Sequence, residues 1–398
     1  MTTWKKNLYI CWFGSFLTAA GMNLVIPFLP LYISQLGEHD HVEVWASLAF
    51  SSTFLTAAIF SPIWGKLADR YGRKTMLLRA SLGMAIIMIL IGFAPNVYFL
   101  VGARLAMGAV SGFIPAAIIL VATQTPSDVS GRALGILSTG GVGGTLIGPV
   151  LGGLLADLIG LREVFWITGA ILFVTFFLTL YIREDFNPVK KEKIKQAAIP
   201  MDNKAILKRL ANVLITTFLL QSAILSIQPV LTLYVKDLAG NTSYLALLAG
   251  IVTAVSGFSN ILSAPYLGKL SDKVGPQRVL QFSLLFVAII LGIHAFATSI
   301  WFLIILRFLL GFGLGGLLPA INTYLKKIVP ESITGQAYGY NQTAQYIGSV
   351  VGPLWGGQVA SAFGIPYVFI VSAVLLIINS ALVTIFRRRG TVRSHEAA

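Results

Sequence analysis

The sequence predicts an all-α polytopic membrane protein with 12 transmembrane helices arranged as two pseudo-symmetric six-helix bundles. Three observations predict it. Of the 398 residues, 56% are hydrophobic and only 11% are charged, whereas a soluble globular chain carries about 25% charged residues. Apolar runs long enough to cross about 30 Å of hydrocarbon recur twelve times along the chain. The second half of the chain also echoes the first at an offset of 202 to 204 residues.

The N-terminal MTTWKKNLYICWFGSF has the lysines and apolar run of a signal peptide. The run continues past residue 30, beyond the about 7–15 residues of an h-region, so it reads as a retained first helix over 7–36. The next five spans are 43–68, 75–94, 97–124, 131–158 and 163–182. Residues 183–210, REDFNPVKKEKIKQAAIPMDNKAILKRL, are charged and lysine-rich. They read as a basic cytoplasmic linker between an N-terminal bundle (1–182) and a C-terminal bundle (211–386). The second bundle holds spans 211–238, 242–270, 277–297, 300–326, 334–361 and 366–386, and a basic cytoplasmic tail (387–398) follows.

The net charge is +14. With the N-terminus inside, every Lys and Arg but Arg104, Arg162, Lys236 and Arg307 falls on the cytoplasmic side. That positive-inside asymmetry sets an even number of crossings with both termini cytoplasmic. Topology therefore accounts for the basic charge, and no nucleic-acid partner is needed. The linker is suited to lie on an anionic inner leaflet. A single cysteine, Cys11, excludes an internal disulfide framework, and four scattered histidines leave no metal-ligand spacing. No cofactor or metal is expected. GFGLGG at 311–316 fits G-x-G-x-x-G, but it lies in an apolar helix with no strand before it, so helix packing is the better reading. No P-loop motif occurs, so energy comes from a gradient or from the substrate itself rather than from ATP hydrolysis of that kind.

The internal repeat is carried by specific motifs. GKLADRYG at 65–72 returns as GKLSDKVG at 268–275; Arg104 is matched by Arg307, Gly108 by Gly311, and Gly148–Pro149 by Gly352–Pro353. In such duplicated transporters the substrate site lies near the midplane between the repeats. With these motifs in view, the chain resembles the major facilitator superfamily along nearly its whole length. GKLADRYGRKTML at 65–77 matches the family's loop signature between helices 2 and 3. Arg104 matches the arginine of the helix 4 signature, whose glutamine position is Met107 here. Gly135, Gly144, Gly148–Pro149 and Gly152–Gly153 match the helix 5 signature of antiporters, and Gly348, Gly352 and Pro353 keep that spacing in helix 11. GMNLVIPFLP at 21–30 is similar to the helix 1 pattern of twelve-helix drug:proton antiporters, most of all to multidrug exporters of Gram-positive bacteria that expel fluoroquinolones and dyes.

That resemblance implies a multi-pass protein of a bacterial plasma membrane, active as a monomer. It implies small amphipathic substrates exported by alternating access, with protons as the coupling ion. The alternative is export of an endogenous sugar, metabolite or amphipathic lipid. A receptor or enzyme without transport is disfavoured by the repeat and the gate motif.

In the loop signature, Gly65 and Gly72 permit close approach and a tight turn. Asp69 can cap a helix N-terminus, which the resemblance identifies as that of helix 11, and Arg73 then pairs with Asp128. The second copy keeps Asp272 but replaces the following basic pair with Pro276 and Gln277, so the gate is asymmetric. The resemblance places helices 1, 4, 7 and 10 around a central cavity. Asn23, Gln221, Gln228, Asn322, Asn341 and Gln345 supply amides either to that cavity or to seams between helices. Phe50, Phe54 and Tyr346 are candidate aromatic walls. All 15 Asp and Glu residues lie at membrane borders or in loops, so the coupling candidates are the buried Arg104 and Arg307 and the border acids, Glu38, Asp157 and Asp237 outside and Asp69 and Asp272 inside, with His294 as a further titratable group. The glycine ladders at Gly140–Gly152 and Gly348–Gly356 are smooth stripes. They are expected to face the opposite bundle, helix 5 against helix 8 and helix 11 against helix 2, with packing inside one bundle as the alternative.

Overall fold

The computed structural model describes residues 2–126, 129–184, 204–240, 242–330 and 333–395. Every regular element among them is helical. Each half opens with a span broken by proline. The first is α1 (Thr3–Leu24), a short 3₁₀ turn over Ile26–Phe28, and α2 (Leu29–Gln35). Pro27 and Pro30 lack the N–H groups that would continue α1, and each disfavours helix at the residue before it. α3 (Val42–Tyr71) and α4 (Arg73–Gly92) follow. The fourth span is again two helices, α5 (Val97–Val110) and α6 (Phe113–Gln124), parted at Ser111–Gly112 with Pro115 just inside α6. α7 (Ser130–Ile159) and α8 (Leu161–Leu180) complete the half.

The second half repeats the list. α9 (Lys204–Leu225) and α10 (Gln228–Ala239) are divided before Pro229, and α11 (Leu245–Val274) and α12 (Pro276–His294) follow. α13 (Ile300–Leu314) and α14 (Leu317–Ile328) are divided at Gly315–Gly316 before Pro319, and α15 (Thr334–Phe363) and α16 (Ile365–His395) end the chain. The duplication extends to helix length. α3, α7, α11 and α15 each have 30 residues and each carries one interior proline.

The spans agree with the sequence reading to within a few residues. Eleven described spans are both long and apolar enough to cross a bilayer. The remaining long helix, α15, is rich in glycine and amides, including Gln336, Asn341, Gln342 and Gln345. Four spans are broken where apolar length alone predicts continuous helices.

The chain divides into two compact units. One is Met1–Lys190 with Leu231–Ala254, and the other is Lys191–Val230 with Val255–Ala398. The boundary thus passes through the seventh and eighth spans rather than through the linker alone. In the first unit α1 lies along α7, α4 along α8 and α3 along α5; in the second α9 lies along α15 and α12 along α16. The first unit's core includes Phe28, Tyr32 and Phe165. The Phe165 ring centroid lies 5.5 Å from that of Phe28 and 4.7 Å from that of Tyr32, and Tyr32 donates its hydroxyl to the Ile91 carbonyl at 2.7 Å. Such a bond matters in hydrocarbon, where a buried hydroxyl finds no water.

Candidate functional site

The loop signature is built on the junction of α3 and α4. Gly72 takes φ +88°, a conformation that side chains rarely adopt, and it turns the chain sharply between the two helices. Asp69, on the last turn of α3, accepts a hydrogen bond from Arg73 at the start of α4. The partner expected for Arg73, Asp128, lies outside the described residues. The N-terminus of α4 is capped from elsewhere. Glu184, just beyond α8, accepts the backbone N–H groups of Arg73 and Lys74 at 2.9 and 2.7 Å. Lys74 in turn donates to the Leu180 carbonyl at 2.8 Å. A carboxylate on the first N–H groups satisfies orphan donors and matches the helix dipole. Gly65 makes no close approach: a Cβ there would meet no described atom within 4 Å. In the second copy Asp272 sits exposed on the last turn of α11, and Gly275 (φ +95°) makes the equivalent turn.

Arg104 lies on α5 and is 7% exposed. Its backbone carbonyl accepts from Thr53 at 3.2 Å, and the next carbonyl, of Leu105, accepts from Thr56 at 2.7 Å. Gly108 lets α5 touch α3, since a Cβ there would overlap the Thr53 carbonyl. Gly311 does the same for α13 against the Ser256 carbonyl.

The break after α5 frees backbone carbonyls, and those of Gly108, Ala109, Val110 and Ser111 find donors. Ser111 donates its N–H and its hydroxyl to the Gly108 carbonyl. Trp64 donates its indole N–H to Ala109 at 2.6 Å. Arg79 donates to Val110 at 3.0 Å and to Ser111 at 3.3 Å. The Arg79 guanidinium also lies 3.7 Å from the centroid of the Trp64 ring, a cation–π contact. Charge counting groups Arg79 with the loop cations. The structure places it on α4, serving the broken span.

The glycine ladders give the clearest correction. Gly140, Gly144, Gly148 and Gly152 of α7 rest on the carbonyls of Trp12, Phe16, Ala20 and Leu24 of α1. In the second unit Gly348 and Gly352 of α15 rest on the carbonyls of Phe218 and Ser222 of α9, and Gly356 rests on that of Ser226 just after it. Both ladders therefore pack within their own unit. Two series spaced by four put one glycine opposite one carbonyl per turn, which side chains would prevent. Contact with α11 falls to the neighbouring residues. Gly153 abuts the Ala246 backbone, and Gly250 abuts the Pro149 carbonyl. Beside them the Asp157 carboxylate accepts the N–H groups of Ala246 and Leu247 at 3.2 and 2.8 Å, capping α11. Thr232 donates to the Pro27 carbonyl at 2.7 Å. These bonds all lie inside the first unit, and they explain why Leu231–Ala254 belongs to it. Gly135 meets no described atom at its Cβ position.

The amide candidates separate into two groups. Asn341 is 2% exposed and accepts from Thr217 at 2.7 Å, and Gln221 donates to Ser349 at 3.4 Å. Together with Trp355 donating to Ser222 at 2.9 Å, they fasten the α9–α15 seam rather than line a cavity. Asn23 stays half-buried with its amide turned to the Ala19 carbonyl at 2.8 Å. Gln228 is half-buried at the start of α10, and its Oε1 has no hydrogen-bond partner among the described residues. Asn322 is exposed on α14, and its carbonyl accepts from Tyr338 at 3.1 Å. Gln345, Tyr346, Phe50 and Phe54 are half-buried, Phe50 against the first unit's core.

Glu38 is half-buried in the turn after α2, and Asp237 is exposed near Lys236 and Glu43. Arg307 is 5% exposed. His294 is wholly buried, with Nδ1 2.7 Å from the Ile290 carbonyl and its ring 5.4 Å from that of Phe369. It is a core histidine of the second unit.

Comparison with known proteins accords with this architecture. The family description "Major Facilitator Superfamily" matches residues 11–261 and 241–397. A multidrug resistance protein MdtG of Serratia proteamaculans is 46% identical over 383 residues, covering 96% of this chain and 93% of the relative. The protein of that name from Proteus mirabilis is 47% identical, covering 95% and 94%. Among solved structures, the nucleoside transporter NupG superposes with a TM-score of 0.81 at 14% identity, covering 96% of this chain and 99% of its own. A bacterial homologue of the human lysosomal transporter Spinster, inward-facing and occupied, gives 0.80 at 18% identity, covering 98% of each chain. With its duplicated broken spans, its loop signature and matches over almost its full length, the chain belongs to the major facilitator superfamily.

Proposed function

We propose that this chain is a secondary active multidrug efflux transporter, exporting amphipathic drugs by alternating access in exchange for protons. The observation that carries the proposal is the 46–47% identity, over 95–96% of the chain, to proteins named for multidrug resistance. The geometry supports it. The first and fourth spans of each half are broken, and irregular backbone inside a membrane protein is tolerated where it is buried or lines a wet path. Gln228, at one such break, keeps an amide oxygen with no described partner, and a polar atom of that kind suits a ligand path. Asn23, Phe50 and Phe54 in the first unit and Asn322, Gln345 and Tyr346 in the second are the further substrate-binding candidates. The α3–α4 junction with Asp69 and Arg73 serves as a gate. Arg104, Arg307, Glu38 and Asp237 are the coupling candidates. By the positive-inside rule, the reading puts the basic helix ends and both termini on the cytoplasmic side of a bacterial plasma membrane.

The test uses everted membrane vesicles holding the protein, energised to an acidic interior and read with a pH-sensitive dye. Addition of a fluoroquinolone or a cationic dye is expected to release protons as the drug accumulates. Drug movement with no proton signal refutes antiport, and absence of drug movement refutes drug export.

A further inference from the structure

Part of the second repeat is held by helices of the first. Residues 231–254, most of α10 and the first part of α11, belong to the compact unit of the N-terminal helices. Ala246 is wholly buried in that unit's hydrophobic core, and Leu233 packs against it. The rest of the docking described above is backbone and polar. Asp157, two residues from the end of α7, takes the N–H groups of Ala246 and Leu247, the second and third residues of α11, at 3.2 and 2.8 Å. Gly153 and Gly250 let the α7 and α11 backbones touch beside that cap. Thr232 of α10 donates to the Pro27 carbonyl of the broken first span.

α11 does not end where this docking ends. It is one helix of 30 residues from Leu245 to Val274, and its interior proline, Pro265, lies well beyond the docked part. From Val255 onward its residues belong to the other unit. Movement of that inner part therefore carries the first turn of α11 away from Asp157, unless the helix bends on the way. The contact is suited to being made and broken. A carboxylate and the first N–H groups of a helix exchange their mutual bonds for bonds to water at modest net cost. The charge is carried in one half only. At the offset of 204 that relates Gly148 to Gly352, Ser361 stands where the first half has Asp157.

We propose that Asp157 is the latch of an outer gate. In the orientation proposed above, it holds the outer ends of α7 and α11 together and releases them in every transport cycle. The α3–α4 junction with Asp69 and Arg73 serves the inner side. This role rests on the alternating-access reading.

Two experiments on the full chain test it. In the first, Leu247→Cys alone and Leu247→Cys with Asp157→Asn are exposed to a membrane-impermeant maleimide in right-side-out vesicles. Asparagine keeps the shape of the side chain but loses the charge and one acceptor. The double variant is expected to label about tenfold faster, and equal rates overturn the proposal. The sole native cysteine, Cys11, is buried and adds no background. In the second, Asp157→Cys with Leu247→Cys is joined by a thiol-reactive linker that contains a cleavable disulfide. Drug flux is expected to fall about tenfold or more on joining and to return on reduction. A joined protein that transports as fast as the reduced one overturns the latch and puts a bend in α11 instead. Labelling needs no substrate. Absence of drug movement in the wild type refutes drug export, and the labelling rates still decide the latch.

Discussion

Arg79 is a single residue whose role follows from hydrogen-bond bookkeeping. It donates to two carbonyls at the break after α5 and stacks on Trp64, which donates to a third. A hydrogen bond to a charged group contributes about 1.5–3 kcal/mol. Arg79→Met is therefore expected to destabilise the protein by about 3 kcal/mol, with a matching fall in the thermal unfolding midpoint in detergent. Arg79→Lys should recover only part of it, because an ammonium cannot reproduce the planar fork. Equal midpoints for wild type and Arg79→Met would show that the brace contributes nothing. Glu184 works on a smaller scale. Glu184→Ala removes the cap of α4 and should cost about 1 kcal/mol, measured by the same unfolding experiment. Neither role is visible in the sequence. Arg79 sits in a basic stretch and Glu184 in a charged one, and only the fold brings them to a freed carbonyl or a helix end.

At the scale of the element, the small-residue ladders are legible in the sequence and their partners are not. Spacing by four marks a smooth stripe but does not say which helix lies on it. The structure puts α1 on the α7 stripe and α9 on the α15 stripe, backbone against backbone. A leucine at Gly148 would drive into the Ala20 carbonyl and Asn23. Overpacking of this kind costs about 1–3 kcal/mol and often more, so Gly148→Leu is expected to lower the yield of monodisperse protein on size exclusion. Gly135→Ala and Gly65→Ala face open space and should purify like wild type. If Gly148→Leu purifies normally and fails only in flux, the ladder moves during transport and is no fixed seam. The amides follow the same pattern. Asn341 and Gln221 stand out in the sequence as polar groups within spans, but the seam hydroxyls of Thr217 and Ser349 claim them.

For the whole molecule, the informative feature is where its compact units divide. Leu231–Ala254 joins the N-terminal helices, held by Asp157 on the first N–H groups of α11 and by Thr232 on Pro27. Asp157→Cys with Leu247→Cys should accordingly be joined by a short thiol-reactive linker in native membranes, scored by protection of the pair from a maleimide label. The sole native cysteine, Cys11, is buried and will not compete. Failure to join the pair would contradict this contact. In the sequence Asp157 is legible only as an acid near a membrane border. Its partner, an unsatisfied helix N-terminus about ninety residues along the chain, follows from the fold alone.

The sequence by itself determined the twelve spans, the duplication and the family, because apolar length, charge asymmetry and glycine–proline spacing are properties of the local chain. It also contained the breaks, since Pro27, Pro115, Pro229 and Pro319 mark all four, although apolar length alone reads each span as one continuous helix. The tertiary structure decided which polar groups are already satisfied and which stripe meets which backbone. Burial in hydrocarbon makes every donor and acceptor seek a partner, and that partner commonly lies far along the chain, as Gln124 does for Asn7.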